Sequence, residues 1–308
     1  MKMMPRVSII ILNWNGLKDT VECLASLKKI AYPNYEVIVV DNGSKGNDAQ
    51  VLEEEFGDYI KLVRNDKNYG YTGGNNIGIR CVLKNSSPDY FLILNNDTVV
   101  APDFLGQMIK VAESDASVGI VGPQVYYYDF PNRIQSAGAS INIRTSQPFS
   151  AGTKQELNWL SGCCLLIKKE LIQKVGLFDE SYFCYWDEND YCFRAKESGY
   201  KVVCIPEAKM WHKAPMHLKV PGKTSTSGTA GGLPYYYMAR NRFRFMRKHA
   251  TKGQYRNFLL YFFGYYFWFV TAAYLLYYRD IRRVVGFCRG VRDGMFNSDS
   301  SARHYRKD

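Results

Sequence analysis

Along the first third of the chain, short apolar runs alternate with stretches whose apolar residues recur at helical spacing. Residues 7–12, 37–40, 60–63 and 91–94 are brief and evenly apolar, so each reads as a strand buried on both faces. Between them, Leu17, Val21, Leu24 and Ala25 share one face of a helix, and residues 49–56 form a second. The polar, glycine-rich stretch 68–78 leads into a third, apolar helix ending near Leu83. Pro102 and Asp103 open a fourth, with Phe104, Met108, Val111 and Ala112 on one face. This alternation predicts an α/β fold with a mainly parallel sheet, right-handed crossovers and helices on both faces.

The pattern then loosens. Residues 119–125 and 161–167 read as further strands, while 126–157 is polar and lacks a period, which predicts an irregular region. Residues 187–199 read as a helix with Asp187 as N-cap and Gly199 just past its end. A short strand at 202–205 precedes Pro206 and Met210-Trp211-His212. Residues 213–234, rich in Gly, Ser, Thr and Lys, read as a mobile loop able to close over a ligand. The expected organisation is a domain at 1–215, the loop at 216–234 and a helical region at 235–308.

Charge changes the picture of that last region. Of the 40 Lys+Arg and 29 Asp+Glu in the 308 residues, 15 and 4 lie from Tyr235 onward, which leaves the first 234 residues neutral with 25 of each. Arg240, Arg242, Arg244, Arg247, Lys248, Lys252 and Arg256 interleave with aromatic residues, and residues 258–278 follow, 21 positions without a charge, 12 of them aromatic. That length can span a bilayer, but Tyr and Trp favour the interface, so the expectation is one helix or a bent pair lying in the cytoplasmic membrane surface, with a single span second. A nucleic-acid partner is not expected, since no recognition module is present. The eight cysteines form no C-x-x-C, and several sit in apolar runs, which reads as reduced thiols in a cytosolic setting. The apolar run after Met1–Arg6 is too short for a signal segment.

Polar residues gather where the predicted strands end: Asn13 and Asn15, Asp41, the Asn75–Asn76 pair, and Asn95-Asn96-Asp97. In an open α/β sheet these positions share one rim, where ligands bind; several together look like a pocket for hydroxyls and phosphates. Ordinary turns use the same residue types. Neither a dinucleotide G-x-G-x-x-G nor a P-loop is present. Asp187, Glu188 and Asp190 crowd one helix start after the aromatic run 182–186. They either complement the helix dipole or, with pKa raised by burial and mutual repulsion, include a general base.

Taken in order, Val7-Ser-Ile-Ile-Ile-Leu-Asn-Trp-Asn15, Val39-Val-Asp-Asn-Gly-Ser44, Asn68-Tyr-Gly-Tyr-Thr-Gly-Gly-Asn-Asn-Ile-Gly78, Leu94-Asn-Asn-Asp-Thr98 and Trp186-Asp-Glu-Asn-Asp-Tyr-Cys-Phe-Arg194 resemble the family-two glycosyltransferases with the GT-A fold, in particular the rhamnosyltransferase-like subgroup. Tyr237-Met-Ala-Arg-Asn241 and Arg289-Gly-Val-Arg-Asp-Gly294 resemble the tail of that subgroup. The resemblance implies a nucleotide-sugar donor, with Asp41 on the nucleoside and Asn13, Asn15 and Asn76 nearby. Asn95-Asn96-Asp97 stands in place of the D-x-D motif, so Asp97 would hold Mg²⁺ or Mn²⁺ on the diphosphate, with His212 as a second ligand. Glu188 matches the catalytic base, although the family's Glu-Asp order is reversed here to Asp187-Glu188. The implied reaction is inverting transfer of rhamnose or a similar hexose to a glycan or polyprenyl-diphosphate-linked acceptor, in cell-envelope polysaccharide synthesis at the membrane. Two rivals remain: a nucleotidyltransferase, which would release pyrophosphate instead of nucleoside diphosphate, and a non-catalytic membrane-bound sugar-nucleotide sensor, which would turn over no donor.

Overall fold

Residues 4–149, 157–213 and 232–298 are described by the computed structural model, so the expected loop at 216–234 falls almost wholly outside the described residues. The chain divides into two compact units. The first comprises Met1–Ala139, Ser150–Phe183 and Asp187–Ala214, and the second Ser140–Phe149, Cys184–Trp186 and Pro215–Asp308. Two short segments thus group with the C-terminal part, which a boundary drawn at one point in the sequence does not capture.

In the first unit, β1 (Val7–Asn13), β2 (Tyr35–Asp41), β3 (Ile60–Arg64) and β4 (Tyr90–Asn95) are parallel neighbours in the order β3-β2-β1-β4. The crossovers carry α1 (Leu17–Leu27), α2 (Asp48–Phe56) and α3 (Gly70–Asn85). After β4 come β5 (Thr98–Val100), α4 (Phe104–Ser114), β6 (Val118–Tyr127) and β7 (Phe130–Ser136). Further along are β10 (Cys164–Lys168), α5 (Lys169–Val175), α6 (Asp187–Glu197) and β11 (Lys201–His212). β10 runs antiparallel between β4 and β6, β11 lies parallel to β6, and β5 closes that edge antiparallel to β11. The sheet is therefore mixed, with its parallel half built from the first four strands.

Alternation along each strand splits the core into two layers. Ile9, Ile11, Val37, Val39, Leu92 and Leu94 face α1, α2 and α4, meeting Leu24, Leu52, Phe104 and Met108. Ile10, Ile38, Val40, Phe91 and Ile93 face the other way, toward Ile79, Val82, Leu171 and Tyr191. All of these are buried.

Four expectations need correction. The glycine-rich stretch 68–78 is not a lead-in: α3 begins at Gly70 and contains it. A Cβ on Gly74 would stand 2.3 Å from Leu12 Cδ1, and one on Gly78 2.7 Å from Ile10 Cγ2, so these glycines let α3 settle onto β1. Residues 126–157 are not wholly irregular: the chain turns from β6 into β7, and β8 (Ser140–Asn142) pairs with β9 (Gln147–Phe149). β7 leaves most of its side chains exposed, so it carries no apolar alternation to read. The strand expected at 202–205 runs to His212, crossing Pro206 through a register shift between Ile205 and Lys209. Asp187 is the first helical residue of α6 and not a cap before it.

In the second unit, α7 (Leu233–His249), α8 (Lys252–Tyr277, continuous but with π turns at Phe262–Tyr266 and Ala273–Tyr277) and α9 (Ile281–Phe296) follow one another. Gly286, Gly290 and Gly294 recur every fourth residue on α9, and a Cβ on Gly286 or Gly290 would stand 2.2 Å from the carbonyl oxygens of Gly232 or Tyr236. A stripe of small residues thus lets α9 lie directly on the α7 backbone. Phe243 of α7 packs edge-on against Phe258 and Phe262 of α8. The opposite side of α8 is open, with Trp268 at 64% and Leu276 at 76% exposure.

Candidate active site

Register alone assembles the rim. Asn13 is the partner of Asp41, and Leu12 the partner of Asn95, so the carboxyl ends of β1, β2 and β4 stand side by side. Buried Asn13 holds them together. Its Nδ2 donates to Asp41 Oδ1 at 2.9 Å, Asp48 Oδ2 at 3.0 Å and Ser44 Oγ at 3.2 Å. Its Oδ1 accepts from Thr20 Oγ1 at 2.7 Å, and Thr20 accepts from Asn96 Nδ2 at 2.9 Å. Ser44 Oγ donates to Asp41 Oδ1 at 2.6 Å. Asn15, with a left-handed φ of 51°, accepts from Lys45 N and donates its own N–H to Ser44 Oγ. A shared, fully satisfied network of this kind fixes the shape of a rim. Asp48, Ser44 and Thr20 belong to it although motif reading did not assign them a part. Asp48 and Thr20 lie near helix starts, where such residues have ordinary uses.

Asn76 does not join the rim. It is buried in α3, its Nδ2 donates to Phe178 O and Glu180 Oε1, and its Oδ1 accepts from Phe178 N. Its amide holds the 178–180 loop.

Asn95, Asn96 and Asp97 are half-buried in the turn between β4 and β5. β11 returns antiparallel to β5 with His212 opposite Thr98, which sets His212 beside Asp97. His212 Nε2 lies 3.2 Å from Asp97 Oδ1, and Lys213 N donates to Asp97 O at 2.9 Å. Gln135 Oε1 meets His212 Nδ1 at 2.9 Å. A carbonyl oxygen can only accept, so Nδ1 carries a proton, and in the neutral tautomer that this selects Nε2 presents its lone pair. Burial pushes the Asp97 pKa up, but His212, the backbone and Lys213 together outweigh it and the net direction is down, so Asp97 stays ionised.

Asp97 Oδ1 and His212 Nε2 are both buried without a hydrogen-bond partner among the described residues. A carboxylate oxygen and an imidazole lone pair, close together and unspent, suit a divalent cation. No third His, Cys, Asp or Glu completes a cluster among the described residues, so phosphate oxygens would have to supply the remaining ligands.

The three carboxylates at the start of α6 part company. Asp190 is fully buried and bonded to Arg194 Nε at 2.8 Å, while Arg194 also donates to Val175 O and Leu177 O. That ion pair anchors α6. Asp187 is also buried. Glu188 is the half-exposed one, and Trp159 Nε1 donates to its Oε1 at 3.3 Å. Glu188 also stands beside the rim. A Cβ on Gly162 would be 3.3 Å from Glu188 Cβ, and the next residue, Cys163, accepts from Asn95 N at 2.9 Å. Adjacent Cα atoms are about 3.8 Å apart, so Glu188 and the end of β4 flank one short segment. Phe183, shortly before α6, holds a φ of 67°, a left-handed conformation that costs a non-glycine residue roughly 1–2 kcal/mol.

All eight cysteines are free thiols. Burial pushes Cys23, Cys163 and Cys192 up to about 12, so they pack as small apolar side chains and are not nucleophiles.

The low-salt glycan biosynthesis hexosyltransferase Agl10 of Haloferax volcanii is 25% identical over 65% of this chain and 64% of its own. The N-acetylglucosaminyl-diphospho-decaprenol L-rhamnosyltransferase of Mycobacterium tuberculosis is 24% identical over 61% of this chain and 70% of its own. The chain spans less than two thirds of the length of several curated relatives, 24% of one from Sinorhizobium fredii and 17% of one from Myxococcus xanthus. Among solved structures, the mannosyltransferase PcManGT of Pyrobaculum calidifontis, in complex with GDP-Man and Mn²⁺, superposes with a TM-score of 0.60 at 17% identity, covering 96% of this chain and 88% of that one. The fold is thus GT-A, and residues 8–176 match the glycosyl transferase family 2 profile, so the chain belongs to that family.

Proposed function

We propose that this chain is an inverting, metal-dependent glycosyltransferase that moves rhamnose or a similar hexose from a nucleoside-diphosphate sugar to a glycan or polyprenyl-diphosphate-linked glycan. The observation that carries the reading is the unspent pair Asp97 Oδ1 and His212 Nε2 on the same rim as Glu188. The Asn13–Asp41–Ser44 network shapes the place for the nucleoside. Mg²⁺ or Mn²⁺ held by Asp97 and His212 would supply positive charge for the leaving diphosphate. Glu188, steadied by Trp159, takes the proton from the acceptor hydroxyl as it attacks the face opposite the leaving group. The relatives in glycan synthesis, one named for a decaprenol-linked acceptor, support an acceptor on a lipid carrier and a role in cell-envelope polysaccharide synthesis. α8, at 26 residues about 39 Å long and apolar on its open side, supports attachment to the cytoplasmic face of the cell membrane.

The test is a donor panel. Full chain with Mg²⁺ or Mn²⁺ is given dTDP-, UDP- and GDP-sugars, and donor hydrolysis and thermal stabilisation are scored beside Asp97→Ala. The expected result is one preferred donor, nucleoside diphosphate as product, and loss of metal dependence in Asp97→Ala. Pyrophosphate as product would establish a nucleotidyltransferase instead, and binding without turnover, even with membrane extract added, would establish a sensor.

A further inference from the structure

The second unit buries a cation that the transfer reaction does not use. Arg242 on α7 is 9% exposed, yet its Nε and Nη1 have no hydrogen-bond partner among the described residues. Its neighbour Arg240, also buried, donates from Nε to Asn241 Oδ1 at 2.9 Å. Arg242 has aromatic faces instead: its guanidinium carbon lies 5.4 Å from the Trp186 ring and 4.2 Å from the Tyr266 ring. Stacking covers the plane of a guanidinium and leaves its N–H edge unspent. Burying such donors unpaired is costly.

Arg242 belongs to the lining of a recess. Tyr235, Met238, Arg242, Phe262, Tyr266 and Tyr274 border a small recess, open at its mouth, with a cavity volume of about 20 Å³. The two π turns of α8 deliver Phe262, Tyr266 and Tyr274 to it. Such turns forgo regular helical bonding and recur where a helix is shaped around a ligand. Arg283 of α9 lies 5.1 Å over the Tyr235 ring, its charge shared with Asp280 Oδ2 at 3.5 Å from its Nε. A guanidinium edge matches two phosphate oxygens at once. The aromatic walls suit an apolar body attached to that phosphate, and the outer side of α8 is itself apolar.

We propose that the Arg242 recess is a binding site for a phosphate oxyanion, borne either by free diphosphate or by the headgroup of a lipid. The site lies wholly in the second unit and stands whether or not the transfer reading does. The test uses full chain in EDTA, so that diphosphate cannot bind through a metal at Asp97. Inorganic pyrophosphate is titrated by calorimetry, and phosphatidylcholine vesicles with and without a prenyl phosphate are assayed by flotation. Arg242→Met keeps the length and the aromatic contact, and Arg242→Lys keeps the charge without the fork. Wild type should bind, and Arg242→Met should weaken binding roughly tenfold or more, with Arg242→Lys between. Loss for both ligands identifies the phosphate itself, and loss confined to prenyl-phosphate vesicles assigns the lipid headgroup. Wild type indifferent to both ligands overturns the proposal. So does binding at wild-type strength in either variant with unchanged circular dichroism and melting temperature.

Discussion

His212 Nε2 stands 3.2 Å from Asp97 Oδ1 without hydrogen-bond geometry, and Gln135 Oε1 accepts a hydrogen bond from Nδ1 on the far side of the imidazole. The strand pairing that opposes His212 to Thr98 builds this pair from residues more than a hundred positions apart. The arrangement matches a histidine ligand steadied by an outer partner, which fixes its tautomer.

His212→Ala should therefore weaken Mn²⁺ binding in the presence of a nucleoside diphosphate. Gln135→Leu should weaken it by about 10–100-fold, the usual effect of losing an outer partner. Electron paramagnetic resonance titration of free Mn²⁺ measures both without relying on turnover. Unchanged affinity in His212→Ala would remove His212 from the metal site.

Glu188→Gln should lower transfer by about 10²–10⁴-fold, the range for a lost general base, while leaving donor binding intact. Trp159→Phe is the subtler test. The indole N–H favours the ionised carboxylate, so its loss favours the protonated form. A base must be ionised to act, and the acid limb of the kcat/KM profile should move to higher pH in Trp159→Phe. Transfer that persists in Glu188→Gln would pass the role to Asp187.

The parallel half of the sheet and its rim were legible in the sequence because each strand is a short apolar run ending in polar residues. Asp41 and Asp97 could be picked out for that reason. The partners that position the candidate groups were not. Trp159 reaches Glu188, and Gln135 reaches His212, across 29 and 77 residues, and neither sits in a stretch with a readable apolar alternation. The partners of Asp190 and Asn76, Arg194 and the 178–180 loop, were likewise not legible, because they are set by the path of the chain and not by residue type. The glycines of α3 read as a loop because propensity counts against them, whereas close packing on β1 requires them.

α8 offers the last test. Its Phe258 and Phe262 are buried against Phe243, while Trp268 and Leu276 point away from that contact. A helix lying in a membrane surface derives its affinity from such an apolar side. Replacing Trp268 and Leu276 together by Glu removes two large apolar groups and adds two charges that an anionic leaflet repels. The helix's packed side is untouched, so the fold should survive, which the melting temperature checks. Most of the full chain should then move from the membrane pellet to the supernatant. Alkaline carbonate separates the two modes of attachment: an interfacial helix is extracted from wild-type membranes, whereas a span stays behind. A membrane fraction unchanged in the double variant would mean that α8 does not carry the attachment, and the basic stretch of α7 would be the next element to neutralise.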